Sequence, residues 1–142
     1  SPDGDSIATL VDDLSNTKLE ADIEGLTLYY ASDGLGYLIV SSQGNNSYAL
    51  YQRSGQHEYL GSFRIIDGNS TDRTTETDGI DVCNLYLGAV FPDGIFIAQD
   101  DVNFDGDSVL PQNFKLVSWP KIARLFDPPL IIDNSYRSAA HK

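Results

Sequence analysis

Cysteine is almost missing from this chain. Cys83 is the single one among 142 residues, which excludes an internal disulfide. Its apolar run, Ile80-Asp81-Val82-Cys83-Asn84-Leu85-Tyr86-Leu87, reads as the setting of a buried structural thiol. A nucleophilic thiol would want a histidine close by, and the only two, His57 and His141, stand in polar segments. Methionine is lacking even at the start, where Ser1-Pro2-Asp3-Gly4 shows no basic stretch and no apolar signal core. The sequence therefore reads as a processed product or an excised fragment. No apolar run approaches the roughly 20 residues of a membrane-spanning helix. Positive charge is scarce: 9 Lys and Arg stand against 21 Asp and Glu, for a net charge of −12. Nucleic acid and anionic membrane surfaces need a basic footprint, so both are excluded as partners. Cations are the natural ones, and an anionic substrate would need a positive ion between it and this surface.

What the chain does have is alternation. Leu26 to Ala31, Tyr37 to Ser41, Tyr48 to Gln52 and Tyr59 to Ile66 read as four strands with Gly/Asn/Asp/Ser turns between them. Links this short imply an antiparallel meander, the form of one β-propeller blade. The pattern restarts with Gly79 to Val90, Gly94 to Ala98 and Phe114 to Val117, and no fourth strand follows. Ser6 to Leu14 reads as an orphan strand of an earlier blade. Ser118-Trp119-Pro120-Lys121 to Phe126 reads as a short helix, with Ser118 as its cap and Pro120 in its first turn. Residues 127–142 read as a loose polar tail. The fold class is all-β, a partial propeller, and its unpaired blade faces call for missing blades or self-association.

Acidic residues cluster at strand ends. Asp101-Val102-Asn103-Phe104-Asp105-Gly106 fits the front half of a calcium loop, in which alternate side chains converge and Gly makes the turn. Gln112 stands where an EF-hand would carry a bidentate Glu, so an EF-hand is excluded; a calcium loop on a β scaffold and a solvated hairpin turn both stay open. Asp22-Ile23-Glu24-Gly25 precedes the first strand, and Asp78 holds the matching place before the next blade. Two carboxylates that close raise each other's pKa unless a cation lies between them. Asn45 and Asn69 open N-x-S/T triplets, read here as turn chemistry.

At these residues the chain resembles a family. Asp22 to Ala31, Gly36-Tyr37-Leu38, Ser41 to Asn45, Ser47-Tyr48-Ala49, Thr77 to Val82, Ala98-Gln99-Asp100 and Gln112 to Lys115 resemble the bacterial β-propeller phytases, in order from about Ser6 to Phe126. The resemblance implies that residues 1–126 are the C-terminal part of a six-bladed propeller. It implies secreted or periplasmic calcium-dependent hydrolysis of phytate or other inositol phosphates. The ions neutralise substrate phosphates and promote attack by water on phosphorus. Carried over by position, Asp22, Glu24 and Asp78 hold active-site calcium and Gln43 contacts substrate. Asp72, Asp101, Asn103 and Asp105 surround a calcium that staples the fold. The family's Asp-Asp-Pro-Ala and Asn-Asn-Val-Asp-type motifs, and its phosphate-gripping basic and Tyr residues, are missing here, so this piece alone is expected to be inactive. The competing reading is a non-catalytic calcium-binding propeller module for a sugar or protein.

Overall fold

The computed structural model describes residues 9–16, 18–68, 71–105, 108–133 and 135. The first sheet is a four-stranded antiparallel meander of β1 (Ile23–Tyr30), β2 (Gly36–Ser42), β3 (Ser47–Gln52) and β4 (Tyr59–Phe63), in that order. The second has three strands, β5 (Ile80–Cys83), β6 (Ile95–Asp100) and β9 (Asn113–Ser118), with a hairpin of β7 (Asn103–Asp105) and β8 (Ser108–Leu110) between β6 and β9. All the pairings are antiparallel. Both blades of the sequence reading are present.

Alternation explains the core. Tyr29, Ile39, Tyr48, Leu50 and Phe63 of the first sheet face Phe96 and Ala98 of the second. Phe96 meets Tyr48 and Phe63 edge-on at 5.0 and 5.2 Å, the preferred geometry of ring quadrupoles. Helix α1 (Trp119–Ala123) closes this core with Trp119, Ile122 and Ala123. Its Ser118 makes no side-chain cap, and Pro120 lies in the first turn as expected.

Four expectations are corrected. Gly79 to Val90 is a strand only from Ile80 to Cys83; the chain then turns back toward β6 through Gly88 and Gly94, at φ 88° and 94°. Cys83 is half-buried, its Sγ accepting from the Leu85 N–H at 3.4 Å. Thr9 to Asp13 form no strand, and Leu14–Asn16 are a 3-10 turn; Ser6 to Ala8 lie outside the described residues. This segment lies along the far face of the first sheet, where Leu19 packs with Val40, Ala49 and Tyr51, and Tyr51 Oη donates to Asp12 at 2.6 Å. The expected loose tail is docked from Leu130 to Asp133. Trp119 Nε1 donates to the Ile131 carbonyl at 2.9 Å, and the Ile131 and Asp133 N–H groups donate to Tyr37 Oη and Tyr29 Oη at 2.8 and 2.9 Å. Apolar side chains organise that stretch, which the polar tally of the whole tail obscured.

Candidate cation site at the seam of two sheets

The segment before β5 lies in the seam between the sheets. Thr77 is buried: its carbonyl accepts from Ser41 Oγ, and its hydroxyl shares a hydrogen bond with Tyr48 Oη, both at 2.8 Å. Gly25 of β1 presses on the same segment so closely that a Cβ there would stand 2.7 Å from the Asp78 carbonyl oxygen. Asp78 therefore emerges at a fixed point on the rim. Gln43, opening the 3-10 turn after β2, donates from Nε2 to Asp78 Oδ1 at 2.8 Å. Its backbone N–H donates to the Asp22 carbonyl at 2.9 Å. Gln43 alone thus links the Asp22 backbone to the Asp78 carboxylate. Glu24, two residues beyond Asp22 in the chain, is exposed like Asp22 and Asp78.

The second expected group is arranged otherwise. Lys115 of β9 is buried, and its Nζ lies 2.6 Å from Asp72 Oδ2, 3.1 Å from Asp100 Oδ2 and 3.2 Å from Asn103 Oδ1. Asn103 Nδ2 in turn donates to the Pro111 carbonyl at 3.0 Å. The Lys115 hydrogen bond holds the Asp72 carboxyl below its ordinary pKa. Burial pulls the Lys115 ammonium down, but its bonds to Asp72 and Asp100 outweigh that and leave it above its usual value. The cation gathered by Asp72 and Asn103 here is the chain's own ammonium. Asp101 accepts from Gln112. Asp105 pairs with Ser108 across the hairpin, while its side chain, Gly106 and Asp107 lie outside the described residues.

Asp22, Glu24 and Asp78 are exposed carboxylates, the oxygen donors that suit a hard cation, and of the three the Gln43 amide bonds Asp78 alone. Calcium takes about 6–8 such oxygens. Among the described residues no three Asp, Glu, His or Cys side chains close on one point as a metal site. The residues have the oxygen chemistry of a hard-cation site and supply at most part of its shell.

A family model described as Phytase matches residues 1–139. The chain belongs to the phytase family. It is 53% identical over 123 residues to a protein named 3-phytase from Bacillus subtilis (strain 168), a match covering 87% of this chain and 32% of that relative. The phytase-family chain thus spans about a third of the relative's length. Leu26, Leu28 and Tyr30 of β1 and Phe114 and Leu116 of β9 are exposed apolar side chains.

Lys115, Asp100 and Gln99 were missed as contributors from sequence. For Lys115 a signal existed, since a strand reading of Phe114 to Val117 puts that lysine on the same face as the apolar Val117. Gln99, whose Oε1 accepts the Asp78 N–H at 2.9 Å, carried none, because its partner is main chain.

Proposed function

We propose that this chain forms one rim of a calcium-dependent site that hydrolyses phosphate monoesters of phytate, myo-inositol hexakisphosphate, within a longer protein. Family membership supports the chemistry, and the observation that supports the placement is Gln43, whose amide donates to the Asp78 carboxylate while its N–H donates to the Asp22 carbonyl. Asp22, Glu24 and Asp78 would hold calcium. When bound, the ion supplies the positive charge that neutralises substrate phosphates and stabilises charge developing on the transferring phosphoryl group. Gln43 has two tasks. One Nε2 hydrogen fixes the Asp78 carboxylate, and the other remains for a phosphate oxygen.

These carboxylates alone would repel a polyphosphate, so the rim works only with its cation in place. The apolar outer faces are covered by the remaining blades of the ring. Phosphate release from phytate tests the proposal on this chain and on a longer chain containing the rest of the fold. Release is expected from the longer chain alone, only with calcium, and Asp78→Ala should lower it at least about 100-fold. Undiminished release by that variant would leave the rim a binding module.

A further inference from the structure

Asp78 is held from two sides, and the second hold is Gln99. Along the second sheet, β5 and β6 pair from Cys83 opposite Ile95 to Ile80 opposite Ala98. One step further the Gln99 N–H donates to the Gly79 carbonyl at 2.9 Å, and the next main-chain link, Asp101 N–H to the Thr75 carbonyl at 3.1 Å, skips Asp78. The next N–H, that of Asp78, has left the ladder. Gln99 supplies what the ladder no longer can: its side-chain Oε1 accepts the Asp78 N–H at 2.9 Å. The two residues lie in ordinary contact, since a Cβ at Gly79 would stand 4.0 Å from Gln99 Cβ.

We infer that Gln99 is a positioning residue for the cation rim, setting the backbone of Asp78 so that its carboxylate meets Gln43 and faces outward with Asp22. This rests on the calcium reading above. One glutamine acts through the Asp78 backbone and the other on its carboxylate. Together they fix both ends of a short, exposed side chain that would otherwise sample several rotamers. Outer-shell hydrogen bonds of this kind typically change metal affinity about 10- to 100-fold when removed.

Two substitutions separate positioning from space-filling. Gln99→Met keeps the length and loses the acceptor, and Gln99→Glu keeps an acceptor oxygen. In metal-free protein, NMR of Gln99→Met should show faster exchange of the Asp78 amide and a displaced Gln43 side-chain NH2 signal, with the Gln99→Glu spectrum close to the original. Calorimetric titration with calcium chloride should then give about tenfold weaker uptake for Gln99→Met and restored uptake for Gln99→Glu. An unmoved Gln43 signal in Gln99→Met, equal uptake by Gln99→Met and the unaltered chain, or failure of Gln99→Glu to rescue would overturn the inference. If the unaltered chain takes up no calcium while the Gln43 signal still moves in Gln99→Met, positioning stands and the calcium reading falls.

Discussion

The Lys115 ammonium lies 3.1 Å from the Asp100 carboxylate, and the two side chains are 5% and 1% exposed. Asp100 also accepts the Thr75 N–H at 2.9 Å, so the pair joins β6 and β9 to the strand-free segment leading to Asp78. Removing one partner of a buried ion pair strands the other charge, at a cost of about 3–5 kcal/mol. Lys115→Met is therefore expected to lower stability by that amount in urea unfolding. Adding Asp100→Asn to it should recover a large part, because the orphaned charge is gone. A double variant no more stable than the single one would contradict this account.

Ending the chain after Phe126 should destabilise it. Leu130 is buried, and burying a leucine is worth about 1.5–3 kcal/mol. Trp119 is fully buried, stacked on Tyr29 with ring centroids 4.3 Å apart, and is the single tryptophan. Losing the Ile131 carbonyl frees its Nε1, so the fluorescence emission should move to the red. Unchanged emission and melting would mean that residues 130–133 do not dock.

Acid should weaken that same docking. Hydrogen bonds from Ser135 and from the Ser32 Oγ and N–H hold the Asp133 carboxyl well below the usual carboxylate range. A folded-state pKa below the unfolded value of about 3.9 gives stability that is complete above that pH and lost as pH falls through the folded value. The melting advantage of the unaltered chain over Asp133→Asn is expected to be full near neutral pH and to shrink below about pH 4. Parallel melting curves for the two down to about pH 2 would refute it.

Gly25→Ala probes how closely the sheets approach. Its new Cβ would stand 2.7 Å from the Asp78 carbonyl oxygen and 2.9 Å from Ile80 Cγ1, and backbone cannot yield as a side-chain tip can. Overpacking of this kind costs about 1–3 kcal/mol. A lower thermal midpoint together with weaker calcium uptake is the expected result. An unchanged midpoint would show that the sheets part freely at this point.

The sequence exposed the meander and the restart of the second blade because period-two alternation marks any strand with one buried face, as Tyr48, Leu50 and Phe63 do. Asp22, Glu24 and Asp78 were legible as strand-start carboxylates. Three things were not. The docking of Leu130 to Asp133 depends on tyrosine hydroxyls about a hundred residues away in sequence. The part of Lys115 depends on a fold that buries its whole side chain beside Asp100. Gln99 acts on main chain, where no side-chain pattern records it.

The seam has a thermal consequence. Asp22 and Gln43 flank strands of one sheet and Asp78 leads into the other, so the proposed rim requires the two to stay pressed together. Heating that parts the sheets by an ångström or two would scatter the oxygens while each meander keeps its own ladder. Cation capture should then fail several degrees before circular dichroism reports any loss of strand, and the bound ion should act as a clasp that delays the parting.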